Sequence, residues 1–277
     1  MKRNIIIAGA TQTIVDEVVM PMLTEEQENF ILVSDKELKF PFEGDQLKLK
    51  VVPSEEVAAE TVRYAKSIEN PVIMKGQIHT STLLKEILKK EHQLVAVGET
   101  LAVVALVHLV DFKRQFIFSD PGLNIKPDVA TKIALVKHTV KVAQRLGILK
   151  PKVSILSSVE EVNPKMPSAY EAAAVAAHFK QEPLEAIIEG PISMDISVNP
   201  LAAKTKNYQG QIQGDADILI MPGIDAGNIM YKALTAWANV SAGNIIMGTK
   251  IPIALSSRGD TSATKISSIR LAAKLFS

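Results

Sequence analysis

Apolar runs of strand length recur along this chain, separated by longer stretches of helical period, and this alternation constrains the fold most. Strands are predicted at 4–8, 30–34, 48–52, 72–75, 94–96, 101–109, 115–118, 152–156, 186–189, 218–221 and 251–255. Several are continuous, as in Ile5-Ile6-Ile7-Ala8, the pattern of strands covered on both faces. Between them, Asp128 opens a helix whose apolar face is Val129, Ile133, Val136, Val140 and Ala143, ended by Gly147 in a left-handed cap. Ser168 is expected to cap a second helix running from Tyr170 to Phe179, and Thr261 or Ser262 to start the last one. Strand–helix alternation of this kind gives an α/β fold with a largely parallel sheet.

A length of 277 residues suits two domains of moderate size. Gly/Pro punctuation near 121–127 and 243–252 sets the expected bounds. They are a discontinuous first domain of 1–125 plus 250–277 and a second of 126–249. The last segment then returns to the first domain, and the active-site cleft is expected between the two.

The net charge is +1, from 31 basic and 30 acidic side chains, so no global field favours nucleic acid or an anionic membrane. An anionic ligand needs a local pocket. Aromatic residues are 5%, which argues against a base-stacking surface. With no cysteine, disulfides, cysteine-ligated zinc and a thiol nucleophile are excluded. The basic start Met1-Lys2-Arg3 precedes an apolar run too short for a signal peptide, so it reads as a buried first strand. The longest apolar run, 101–107, falls far short of the ~20 residues that span a bilayer. The chain is therefore expected in the cytoplasm.

Candidate chemistry gathers where strands end. In Ile251 to Thr261 a buried strand runs into Ser256-Ser257-Arg258-Gly259-Asp260 and then a helix. Ligands in parallel sheets bind beyond the C-terminal ends of strands. Arg258 offers a fork of donors to phosphate oxygens, and Gly259 allows close backbone approach. The same segment also reads as an ordinary loop with a surface arginine. In Gly214 to Lys232, Asn228 reads as a helix cap or a ligand contact, with Lys232 one turn on. Asp195, after the strand end Glu189-Gly190-Pro191, reads as a base or a cap. Lys75, His79 and Thr80 follow another strand and can hold phosphate, though Thr80 can equally cap a helix. Neither G-x-G-x-x-G nor G-x-x-x-x-G-K-[ST] occurs, so Rossmann cofactors and P-loop nucleotides lose support. No H-E-x-x-H is present, and no metal is expected.

Taken together, Glu189-Gly190-Pro191 through Asp195, Asn199-Pro200-Leu201-Ala202-Ala203-Lys204, Gly214-Asp215-Ala216-Asp217, Asp225-Ala226-Gly227-Asn228, Tyr231-Lys232 and Ser257-Arg258-Gly259 follow the order of one family. Ser119-Asp120-Pro121-Gly122 and Lys75-Gly76 to His79-Thr80 match it more loosely. The chain resembles the phosphate acetyltransferase and butyryltransferase family, and its compact length is more similar to the butyryltransferase branch. The resemblance implies two α/β domains like those of isocitrate and isopropylmalate dehydrogenases. It implies reversible transfer of a short-chain acyl group, butyryl or branched-chain, between coenzyme A and phosphate, by direct transfer in a ternary complex. Coenzyme A and phosphate are then substrates, with no tightly bound cofactor, and the protein a homodimer or larger homo-oligomer. By resemblance Ser257 stabilises the tetrahedral oxyanion and Arg258 holds the phosphoryl group. Lys75, His79, Thr80, Asp195, Asn228, Lys232 and Gly259 are the expected phosphate and CoA contacts. Some acetyltransferases carry an aspartate, proposed to deprotonate the CoA thiol, where this chain has Thr264. The thiol base is therefore unassigned: Asp260 is nearer in sequence and Asp195 is a second candidate, neither follows from the alignment, and a basic pocket can raise the thiolate fraction without a dedicated base. Two alternatives are a catalytically silent acyl-CoA-binding protein and an NAD- and metal-dependent hydroxyacid decarboxylating dehydrogenase of the same fold.

Overall fold

A computed structural model describes residues 2–26, 28–40 and 46–275. Met1 of the basic start, and residues 276–277 of the expected first domain, lie outside the described residues. The chain divides into two compact units, Met1–Glu99 with Ala242–Ser277, and Thr100–Ser241. The described strands are β1 Asn4–Ala8, β2 Asn29–Ser34, β3 Leu47–Val51, β4 Pro71–Lys75, β5 Ala102–Leu109, β6 Arg114–Ser119, β7 Lys152–Leu156, β8 Ile187–Ile192, β9 Ile218–Ile220, β10 Val240–Met247 and β11 Ile253–Ala254. The fold is α/β and mostly parallel, as the alternation of runs predicts.

In the first unit the strands lie in the order β3-β2-β1-β4-β11-β10. All neighbours are parallel except β10, which runs antiparallel to β11. Ile5, Ile6 and Ile7 are completely buried in succession, because both faces of β1 are covered. Each such side chain contributes about 1.5–3 kcal/mol. The helix Val57–Ser67 packs on β1, β2 and β4, and the helix Ser262–Leu275 on β4 and β11. The edge strand β3 carries Lys48 and Lys50, charges that discourage pairing with another chain.

In the second unit β5 and β6 form an antiparallel pair, continued in parallel by β9, β7 and β8. The helix Val129–Arg145 starts where the sequence places it: the Asp128 carboxylate accepts from Thr131 N at 2.8 Å. Gly147 has φ +98°, the expected left-handed stop. Lys132 is buried on this helix and pairs with Glu171 of the helix Pro167–Gln181.

Several expectations need correction. Residues 94–96 form no strand, only a bridge between Val95 and Thr249, because left-handed turns at Gln93 and Gly98 confine the segment. Ser168 is not a cap; Met166 is, Pro167 takes the first turn, and the Ser168 hydroxyl bonds Ser157 Oγ at 3.0 Å. β10 is an extra strand that the sequence reading did not include, running through Gly243. A Cβ on Gly243 would stand 3.1 Å from Ser267 O, so glycine lets the last helix pack closely against the strand. Among the described residues, no helix is long and apolar enough to cross a membrane.

Candidate active site

In the first unit, β4 and β11 are parallel neighbours, so Lys75 and the segment after Ala254 emerge at the same sheet edge. The chain can turn at the end of β4 because residue 76 is glycine. A Cβ there would lie 2.4 Å from Gly9 O and 2.9 Å from Ala8 O. Gly76 N and Gln77 N instead donate to Ala8 O and Gly9 O, both at 2.8 Å.

The two serines at this edge have different fates. Ser256 is 3% exposed, and its hydroxyl donates to Lys75 O at 2.8 Å, tying the two strand ends together. Ser257 is exposed, and its backbone N–H donates to Asp260 Oδ2 at 2.7 Å. The local strand–loop–helix pattern does not tell the two apart; the family resemblance singles out Ser257. Arg258 is exposed, with Nη2 3.0 Å from both ring nitrogens of His79. A guanidinium only donates, so Arg258 is the donor in this contact. This edge therefore brings Ser257, Arg258, Lys75 and His79 together. Thr80 begins the helix Thr80–Ile87 but does not cap it; His79 occupies the cap position without a side-chain bond. Gly259 has open space where a Cβ would sit, with no described atom within 4 Å.

Lys75 is 3% exposed. Its ammonium donates to Gly76 O at 3.0 Å and pairs with no described carboxylate. Burial first, then the nearby Arg258 and Lys265 charges, push it down to about 8, with Asp260 acting in the opposite direction. Lys265 belongs to the same basic cluster and escaped the sequence reading. It sits in the first turn of the last helix, 9% exposed, and donates to Asp260 O at 2.7 Å. Thr264 is buried beside it, and Thr261 Oγ1 accepts from Thr264 N at 3.2 Å, a helix cap. The arrangement can bind a compact anion between fixed cations.

In the second unit, Asp195 follows β8 in the short helix Met194–Val198 and is not its cap, Ser193 being in that position. Its carboxylate accepts from Ser193 Oγ at 2.7 Å and from Lys206 Nζ at 3.0 Å, and Glu160 joins the same group through Ser193 and Lys206. The Ser193 hydroxyl, then Lys206, hold the Asp195 carboxyl below the usual range. A cavity of about 790 Å³ opens beside this network, lined in part by Glu160, Asn163, Lys206 and Tyr208. Glu160, which is not among the candidates taken from the sequence, is thus an organised member of this group.

Asn228 lies inside the helix Ile224–Trp237 rather than at its start, and its amide donates to Pro121 O at 3.0 Å. Lys232, one turn on, sits 5.3 Å from the Tyr231 ring centroid. Asp120, at the end of β6, is 2% exposed. Its Oδ1 accepts from Gly122 N and Leu123 N, and its Oδ2 from Val103 N and Asn124 Nδ2, at 2.6–2.9 Å. Gly227 packs against the same loop: a Cβ there would lie 2.5 Å from Asp120 O. Elsewhere, Glu86, Glu91 and His92 offer ligand atoms within 4.8 Å of one another. Glu86 is already paired with Lys89 at 2.8 Å and His92 at 2.7 Å.

The family model described as phosphate acetyl/butaryl transferase matches residues 45–273. The chain belongs to this family. Among phosphate acetyl/butyryl transferases, it is 39% identical to a phosphate acetyltransferase of Thermotoga maritima over 80% of this chain and 75% of that one. It is 34% identical to a phosphate butyryltransferase of Clostridium acetobutylicum over 93% and 89% of the two chains. The crystal structure of a branched-chain phosphotransacylase from Enterococcus faecalis V583 matches with TM-score 0.90 and 38% identity, covering 99% of both chains. The acyl groups in these names differ, while the transfer to phosphate is common to all of them.

Proposed function

We propose that this enzyme reversibly transfers a short-chain acyl group between coenzyme A and inorganic phosphate. Family membership across residues 45–273 carries the reading. The cations at the first unit's sheet edge suit its anionic substrate. A phosphate oxygen attacks the thioester carbonyl, a tetrahedral oxyanion forms, and its collapse releases CoA. Ser257 is assigned to the oxyanion by resemblance to the family; the residue is exposed, and the neighbouring Ser256 is buried with its hydroxyl bonded to Lys75 O. Arg258 is assigned to the phosphoryl group, with Lys75, His79, Thr80 and Gly259 around it. Asp195, Asn228 and Lys232 are assigned to the remainder of the substrates.

The acyl group is taken as butyryl or branched-chain, supported by the full-length likeness to the Enterococcus phosphotransacylase and the span shared with the Clostridium butyryltransferase. The absence of a tightly bound cofactor, homo-oligomeric assembly and cytoplasmic location belong to the same reading and rest on resemblance to the family.

The test is phosphate-dependent release of CoA from butyryl-, isobutyryl-, isovaleryl- and acetyl-CoA. Removing one oxyanion donor costs about 10²–10³ in kcat, so Ser257→Ala is expected to fall in that range. Arg258→Ala is expected to raise the KM for phosphate as well. Tight CoA binding without turnover of any of the four would instead favour a silent binding protein.

A further inference from the structure

We propose that Lys75 is the acid that protonates the CoA sulfur as acyl phosphate forms, and the base that takes the thiol proton in the reverse reaction. This rests on the transferase reading and adds a catalytic residue to it.

Where some acetyltransferases carry an aspartate proposed as the thiol base, this chain has Thr264, whose backbone is engaged by the Thr261 cap. Neither of the two carboxylates considered from the sequence is disposed to replace it. Asp260 Oδ2 is held by Ser257 N, and Asp195 is bound by Ser193 and Lys206 and kept below the ordinary carboxylate range. Lys75 differs from both. It is buried at the sheet edge that also presents Ser257 and Arg258, its strand hydrogen-bonded to theirs. Its one hydrogen bond goes to the neighbouring Gly76 carbonyl, and it makes no ion pair with a described carboxylate that would fix its proton. The groups facing it are Arg258, Lys265 and Asp260, with His79 behind Arg258. Burial and the two cations outweigh Asp260 and bring the ammonium to about 8. A thiol titrates near ~8.5, so proton exchange between nitrogen and sulfur is close to balanced in both directions.

The step balances without another reactant. Hydrogen phosphate dianion forms a C–O bond to the acyl carbon, and the C–S bond breaks. The sulfur takes a proton from Lys75 Nζ. The new acyl hydrogen phosphate is a stronger acid than the amine and returns its proton to Lys75.

The test measures kcat and the phosphate KM separately, at saturating acyl-CoA, from pH 7 to 9.5. Loss of the thioester's ultraviolet absorbance reports turnover in the wild type and in Lys75→Arg, which keeps the charge but cannot give up a proton. Phosphate is still partly monoanionic at pH 7, so its KM is expressed for the dianion at every pH. The wild-type kcat is expected to fall about tenfold per pH unit above 8. Lys75→Arg is expected to lose about 10²-fold or more at pH 7 and to show no such fall. If Lys75 only holds phosphate, the wild-type KM rises above pH 8 at constant kcat and Lys75→Arg keeps most of its kcat; either result overturns the assignment. The wild-type profile decides the matter even if the variant does not fold. A wild-type protein that releases no CoA at any pH would overturn the transferase reading itself.

Discussion

Replacing Lys75 with methionine should make the protein more stable at neutral pH. The ammonium is buried, faces Arg258 and Lys265, and falls from the ordinary 10.5 to about 8. A displacement of that size corresponds to about 3 kcal/mol of destabilisation when the group is charged, at 1.36 kcal/mol per unit. Relaxation and water penetration around the buried ammonium lower this to ~2 kcal/mol. The sign follows from proton binding. Between about 8 and 10.5 the unfolded chain holds a proton that the folded chain has released, so wild-type stability rises with pH across that window. Below 8 the whole penalty is present. Lys75→Met removes it and keeps a long apolar stem in the same space. Thermal unfolding of the two proteins at pH 7 should show the variant higher by roughly 4–8 °C, with the gap closing as pH approaches 10.5. A variant no more stable at pH 7, or a gap that does not change with pH, would refute the idea that this site holds a strained cation. The same variant should lose turnover, the usual exchange of stability for function at an active site.

Two further perturbations probe the supports of each unit's site. Gly76→Ala places a Cβ 2.4 Å from Gly9 O, and chemical denaturation should show a loss of roughly 1–3 kcal/mol, with lower kcat because the end of β4 must shift. Asp120→Asn turns an amide donor toward N–H groups that now donate to the carboxylate, and should cost about 3 kcal/mol in the same assay.

Much of the architecture was legible because burial on both faces leaves an unbroken apolar signature, as in Ile5-Ile6-Ile7 and Ile218-Leu219-Ile220. Asp128 and Gly147 marked their helix because capping and left-handed geometry select those residue types locally. β10 was hidden because Gly243 serves close packing of the last helix, a tertiary reason that a single sequence presents as a break. Ser168 and Asn228 look like caps, but partners brought by the fold, Ser157 and Pro121 O, claim their side chains. In the site, Arg258 stood out through the strand–loop–helix pattern, and Ser257 was singled out only by resemblance to the family. Lys265 did not, since a lysine in a first helical turn ordinarily faces solvent. The perturbation of Lys75 was equally unreadable, because it arises from burial and from charges that lie far away in sequence.

The most direct test of the account is CoA release from butyryl-CoA by the purified wild-type protein, with and without inorganic phosphate. A thiol reagent can follow it cleanly, since the protein has no cysteine of its own. Release that requires phosphate, yields acyl phosphate in equal amount and is lost in Arg258→Ala is the expected result. Release indifferent to phosphate, or none from any short-chain or branched acyl-CoA, would contradict it.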